Sequence, residues 1–508
     1  MTELNFRCPE RFLPETLLRR AFFASWGRIP KPSRVRLHDG VLSVFSEGLG
    51  SGSVHVPCPH HRLGLSLEST ETLLPREQPY HLVKELARGS LGKIMRRLYE
   101  WQMFGFRPSD SFREAVRQMI ARFAVMATTD ENATSLDQSS QELLVALDAL
   151  ILRITDEFTE QSLAWRMRNG SRLPVMLGVG MTTHGAPESI GDFAGYAPTL
   201  NGLFDAIAPI PPWREIEPEQ GVFRWDLVEE RLSIPARYGF QIIAGPLIEF
   251  DQRALPTWLI PRLNEEDFLE ICVAQFIEAF VERFEYIVDR WILSTRFNSH
   301  ALPGVPIFRG FSIIRATAAF VRAHSPDKTI MVGVDQPWGD YGLRNEPQFG
   351  LVNIGEALMT CHEVDAFLLE LNFGLESTCS LPRDPMWLGP LIDHWSFLGK
   401  KVFVSFSVPS GLELDLPQTK EATPSDTSSE LWNNHSQAEW VVTVMRMLLS
   451  KRSVQGVFWS SLQDPVEGLE DTRVFGTPLL PYSGLIDTEH EIKPACYELQ
   501  ALREAYLQ

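Results

Sequence analysis

The spacing of apolar residues changes period twice along this chain. Arg34 to Phe45 (RVRLHDGVLSVF) alternates around Asp39-Gly40, the pattern of a β-hairpin. Glu47–Ser53 (EGLGSGS) reads as a flexible loop, and Gly64 to Leu74 as a further strand. From Tyr80 the period becomes helical. Tyr80–Gln102 is one long amphipathic segment, and Ser111–Ala127 is a second with Ser at its start. Gln141–Asn169 is a third, carrying Leu144, Leu147, Ile151, Ile154 and Phe158 on one stripe. The polar run Thr128–Ser140 predicts a solvated linker between helices. The basic cluster Lys93, Arg96 and Arg97 is most simply a solvated helix face.

From Leu173 the pattern changes again, to apolar strands alternating with helices. Eight strands are predicted: 173–181, 204–210, 241–250, 289–298, 329–337, 364–374, 402–410 and 454–464. Helical periodicity falls between them, as in Glu265–Tyr286 and Gln437–Ser450. Eight strand–helix units in order predict an α/β fold, a closed (β/α)8 TIM barrel. A doubly wound open sheet is the alternative, but no GxGxxG follows an early strand. The expected organisation is a small β-hairpin and α-helical N-terminal domain over residues 1–172, followed by the barrel over 173–508. A Ser/Thr/Asp/Pro-rich insertion, Leu412–His435, follows strand seven, where a long loop would lie at the barrel mouth.

Composition narrows the partners. With 47 Lys plus Arg against 65 Asp plus Glu the net charge is −18, which repels phosphate backbones and argues against nucleic acid. The six cysteines form no CxxC pair and no zinc-spaced cluster with histidine. His60 and His61 lie near Cys58 in a Pro-rich turn, a weak metal signal, so neither metal nor cofactor is expected. The N-terminus lacks a signal-peptide pattern, and no run is long and apolar enough to span a membrane. A cytoplasmic protein is the expectation, with oligomeric state open.

Four stretches then stand out. They are IEPEQGVFRWD after strand two, GPLIEF with LPTWL at strand three, VQGVFWSSLQDP at strand eight, and GLIDTEHEIKPACYEL near the C-terminus. In this order and spacing they resemble glycoside hydrolase family 10, the xylanases, over roughly residues 173–505. The combination also looks like bacterial proteins in which such a barrel follows a helical N-terminal domain. The resemblance implies a sugar-cleaving barrel, with carbohydrate as the ligand. It also implies two catalytic glutamates, and here the chain departs. At strand four the matching stretch is WILSTRF, with Thr295 and Arg296 where the family has asparagine and its acid/base glutamate. Taking Asn298 as that asparagine puts Ser299 next, still not an acid. At strand seven Phe406 stands for the nucleophile, and at strand three Pro246 for a histidine. Retaining hydrolysis needs two carboxyls about 5–5.5 Å apart. Arginine cannot supply a proton at neutral pH and phenylalanine cannot attack.

Other acids sit at predicted strand ends: Glu249, Asp335, Glu370 and Asp464, with Asp340 in the next loop. Glu370 is the leading catalytic candidate. Its apolar strand would desolvate it and raise its pKa, as a general acid requires. The other reading is a buried Glu paired with Arg296. Glu249 and Asp335 are its candidate partners in catalysis. DQPWGDY offers Trp338 and Tyr341 for stacking on a sugar ring, or is simply a tight turn. Trp213, Trp291 and Trp459 either stack on pyranose faces or pack the barrel. Asn298 and Asp464 are candidate ligand contacts, and Arg296 could hold an acidic substituent. Glu217 and Pro218 are expected to fix the strand-two loop. Three functions follow: a glycosidase-like enzyme with relocated carboxylates, an inactive carbohydrate-binding barrel, or a scaffold that docks a partner through its N-terminal domain.

Overall fold

A computed structural model describes residues 2–10, 12–25, 28–47, 50–128, 133–180, 197–265, 267–299, 302, 304–343, 350–375, 379–411, 432–464, 473–474, 477–478 and 482–508. The predicted insertion therefore lies outside the described residues, apart from 432–435.

The N-terminal region begins with two four-stranded sheets. The first orders Arg34–His38, Val41–Ser46, Thr2–Arg7 and Tyr80–His81. The second orders Pro30–Lys31, Phe22–Ala24, Ser53–His60 and Gly64–Ser69. The hairpin about Asp39-Gly40 forms as predicted, with both residues at positive φ. Thr2–Arg7 alternates over only six residues, and Phe22–Ala24 carries no alternation of its own. Each is a strand because it pairs with a distant one, Val41–Ser46 and Ser53–His60 respectively. Three helices follow: α1 (Leu82–Met103), α2 (Asp110–Thr128) and α3 (Ala133–Arg166). The last begins inside the predicted polar linker. Ser140 is buried there, and its hydroxyl bonds back to the Asp137 carbonyl, so a polar residue serves a packed helix.

The eight predicted strands are present. They are β1 (Met176–Gly180), β2 (Ala206–Ala208), β3 (Gln241–Ala244), β4 (Arg290–Ile292), β5 (Thr329–Asp335), β6 (Ala366–Asn372), β7 (Lys401–Ser407) and β8 (Val454–Trp459). They pair in parallel, in sequence order, and β8 closes on β1. Every strand contributes to one interior cluster: Met176, Ala206, Ala208, Ile243, Ile292, Met331, Ala366, Leu368, Phe403 and Phe458. Large and small residues are mixed within it. A Cβ on Gly178 would stand 2.3 Å from the Phe458 ring, so only glycine admits that ring. Trp213 opens a short helix, Trp213–Ile216.

The N-terminal region is fastened to the barrel by polar contacts as well as a shared apolar core. The Leu67 amide donates to the Pro382 carbonyl at 2.7 Å, and Trp440 Nε1 to the Leu63 carbonyl at 2.7 Å. Lys93, expected on a solvated face, is buried. It pairs with Asp384, which also caps the helix α4 (Pro385–Phe397), and lies 3.8 Å from Glu68. Asp148 faces the same group. Burial, then Glu68, pushes its pKa well above the usual carboxylate range, against the pull of Lys93.

This geometry sets a pH dependence. Because the folded pKa of Asp148 is raised, its contribution to stability is full below the unfolded value and is lost as pH rises through the folded one. Asn at this position mimics the protonated form. Urea unfolding from pH 5 to 9 should therefore show Asp148→Asn gaining on the parent by up to about 1.4 kcal/mol per pH unit of titration. Parallel curves would refute the assignment.

Candidate active site at the barrel mouth

Alternation along the strands carries the interior from apolar to polar toward their C-terminal ends. Above Met331 stand Gly333 and Asp335, above Leu368 stand Glu370 and Asn372, and above Phe403 stand Ser405 and Ser407. The register puts Asp335, Glu370 and Ser405 side by side on adjacent strands. Glu370 is fully buried and lies across Gly333, where a Cβ would meet its Oε1 at 2.6 Å.

Arg296 occupies the centre of this layer and is 2% exposed. Its Nη1 is 3.1 Å from Asp251 and 4.0 Å from Glu249, and its Nε is 3.7 Å from Asp335. Burial works against its charge. The carboxylates of Asp335, Glu249, Asp251 and Glu370 outweigh that and raise its pKa above the ordinary guanidinium value. Glu370, expected to pair with Arg296, adds its charge to this field, while the carboxylates within 4.0 Å of the guanidinium are those of Asp251, Glu249 and Asp335. Several acids meet a single cation, and the cation is turned inward to them rather than outward to a ligand's carboxylate.

The backbone here is held in a costly shape. Arg296 has φ 61° and Gln336 has φ 46°, left-handed conformations for non-glycine residues at the ends of neighbouring strands. Asn298 secures the second of these. Its side chain donates to the Asp335 carbonyl at 2.7 Å and accepts from the Asp335 amide at 3.0 Å. Asn298 therefore acts on the backbone of β5. Tyr341 packs beside it, buried, and burial pushes its phenol up to about 12 against the opposing influence of Asn298.

The remaining predicted residues spread around this centre. Asp464 pairs with Lys493 at 2.5 Å and accepts from the Gly484 amide at 2.6 Å. Burial raises its pKa and Lys493 opposes the rise. Asp340 is gripped by both guanidinium nitrogens of buried Arg383, at 2.6 and 2.7 Å. That guanidinium also covers one face of Trp338, 4.5 Å from the ring centroid, leaving Trp338 partly exposed. Trp213 stacks on Phe276 at 4.6 Å and donates to Glu217 at 2.7 Å, and Glu217 also accepts from the Gly221 amide. Trp291 is buried edge-on to Phe280. Trp459 is buried against Phe406, its N–H spent on the Ser483 carbonyl.

Phe406 belongs to the outer core, whereas Phe403 is interior. The inward positions near the top of β7 are accordingly Ser405 and Ser407. Ser405 bonds Ser460 at 3.0 Å, and Ser407 and Ser460 both donate to Asn372 Oδ1. This hydroxyl–amide cluster, Asp251, Arg383 and Lys493 were not singled out in the sequence. The alternation in VSFSV was the available signal for the serines. For the other three there was none, because each is placed by a contact between distant segments.

No family model matches the sequence, and no curated protein matches it. Solved structures do match. Native xylanase 10B from Thermotoga maritima is 14% identical, covers 65% of this chain and 95% of its own, and superposes with a TM-score of 0.48. A GH10 endoxylanase retrieved from sugarcane soil metagenome is 13% identical, over 67% of this chain and 99% of its own, at 0.48. Xylanase 10B from Thermotoga petrophila RKU-1, solved with xylobiose, is 14% identical over 68% and 96%, at 0.47. The chain carries a divergent barrel similar to the barrels of these xylanases. That likeness is one of fold, which the strand order shows independently. Among the described residues no helix is long and apolar enough to cross a membrane.

Removing the central cation leaves its acids facing one another. Arg296→Met should cost about 3–5 kcal/mol of unfolding free energy at pH 8. The loss should shrink toward pH 5 as protonation relieves the repulsion. Guanidinium unfolding followed by far-UV circular dichroism measures both.

Proposed function

We propose that this protein is a carbohydrate-recognising barrel that does not hydrolyse its ligand by a paired-carboxylate mechanism. One observation carries the reading: Glu249, Asp251 and Asp335 converge on Arg296 and are buried with it. A retaining or inverting glycosidase needs one acid to give a proton to the leaving oxygen. It needs a second, solvent-reachable acid to attack or to activate water. Asp251 is hydrogen-bonded to the guanidinium, and Glu249 and Asp335 lie within 4.0 Å of it as countercharges. Asp464 and Asp340 are engaged in the same way by Lys493 and Arg383. The serines inside β7 are acceptors and donors suited to sugar hydroxyls, and their own hydroxyls are engaged by Ser460 and Asn372.

The ligand class rests on the four sequence stretches that resemble glycoside hydrolase family 10. Within this reading Trp338 supplies a stacking face, while Asn372, Ser407 and Ser460 supply hydroxyl and amide contacts. Glu370, Glu249 and Asp335 then shape the pocket floor electrostatically.

A second reading, a scaffold for a partner, has its own support. The N-terminal region leans on the loops that leave β5 and β6. Arg20 donates to the Leu375 carbonyl, and the Leu67 amide to that of Pro382. Those loops border the mouth.

Xylohexaose is a suitable probe. With the full chain it should release no new reducing ends, while titration calorimetry registers binding that Trp338→Ala weakens about ten-fold. Cleavage that disappears in Glu370→Gln or Glu249→Gln would restore the hydrolase reading. Absence of both binding and cleavage would favour the scaffold.

A further inference from the structure

A second concavity lies far from the mouth. It is a cleft of about 900 Å³ between the ends of α1 and α3, the end of α4, and the segment Ser450–Arg452 that leads into β8. Phe397 ends α4, just ahead of β7, and Arg452 stands just ahead of β8. The cleft thus opens at the N-terminal ends of the strands, on the opposite face from Arg296.

Its lining combines two chemistries. The floor is aromatic: Trp101 stacks on Phe158 at 4.0 Å, with interplanar angle 13°. The rim keeps Phe104 and Phe397 in water at 89% and 87% exposure, a cost that globular surfaces seldom carry in one place. One end is cationic. Arg452 lies 4.1 Å and Arg168 4.8 Å from the centroid of the same Trp165 ring. Among the described residues no carboxylate bridges either of them. Arg166 stands beside them, donating to the Leu449 and Lys451 carbonyls. Burial, then Arg452, lowers its pKa below the ordinary guanidinium value. An adjoining recess of about 240 Å³ is lined by Arg166, Arg172 and Arg452. Elsewhere acids outnumber bases, and the chain carries −18 overall. The two acids of the lining, Glu100 and Asp393, are held by Arg97 and Lys451, so Arg166 and Arg452 stand beside the aromatic floor with no carboxylate bridging them among the described residues, an arrangement that suits an anion with an apolar body.

We propose that this cleft binds an amphiphilic organic anion, its flat or acyl body on the Trp101–Phe158 floor and its anionic head at Arg452 and Arg166. The head is a carboxylate or a phosphate monoester, the shared chemistry being a compact anion that a guanidinium pair can hold. The site is independent of the reading given to the mouth.

The test uses the full chain with 8-anilinonaphthalene-1-sulfonate, an aromatic anion whose fluorescence rises on binding, and with neutral N-phenyl-1-naphthylamine. The anion should bind at least about ten-fold more tightly than the neutral probe, and raised salt should weaken it. Arg452→Glu should abolish that preference and leave neutral binding unchanged. Phe397→Asp should weaken both probes. Both side chains are exposed, and thermal melting checks that the variants fold. Displacement by dodecanoate or by dodecyl phosphate then tells a carboxylate from a phosphate head. Equal affinity for the two probes would overturn the proposal. So would a signal unmoved by both variants, or a concentration-dependent dimer that occludes the cleft.

Discussion

The mouth of this barrel is organised by one buried guanidinium. Arg296 is buried where the backbone takes a left-handed turn just after the short strand Ser294–Thr295. Asp251, Glu249 and Asp335 then supply the countercharge that makes a buried cation tolerable. Glu370 adds to the same field from β6. Asn298 fixes β5 where Asp335 leaves it, so the charge cluster and the strained backbone support each other. A site built this way resists rearrangement. Its acids balance a buried charge.

The same economy of buried charge joins the two parts of the chain. Lys93 from α1 meets Asp384 at the start of α4, with Glu68 and Asp148 around it. Arg383, the next residue along, holds Asp340 and covers Trp338. A short segment, 383–384, thus links the N-terminal helices, the loop after β5 and one face of the only predicted stacking tryptophan that remains partly exposed. Movement of the N-terminal region would be felt at the mouth through these two residues. The cleft on the far side lies in the same seam between α1, α3 and the barrel.

Much of the fold was legible because it follows from periodicity. Apolar runs of strand length, alternating with amphipathic stretches, have few solutions other than a closed parallel barrel. Each of the eight predicted strands overlaps an observed one. The strands missed, such as Phe22–Ala24, are those whose pairing partner lies far away in sequence. The helical start of α3 was missed because serines and an aspartate look solvated until a partner surface buries them.

The candidate site was legible only as a set of residue types. The chain by itself determined that Arg296 stands in strand four and that acids lie at the ends of strands three, five, six and eight. It determined too that strand seven carries no acid. It could not say that Glu249, Asp251 and Asp335 all turn to Arg296, nor that Phe406 faces outward and leaves Ser405 and Ser407 inside. Nor could it say that Trp213 and Trp459 are packed away while Trp338 keeps a face near water. Those outcomes depend on which side of each strand points inward and on distances between segments tens to hundreds of residues apart. Sequence periodicity carries the first only where alternation is clean, as in VSFSV. The second exists only once the barrel has closed.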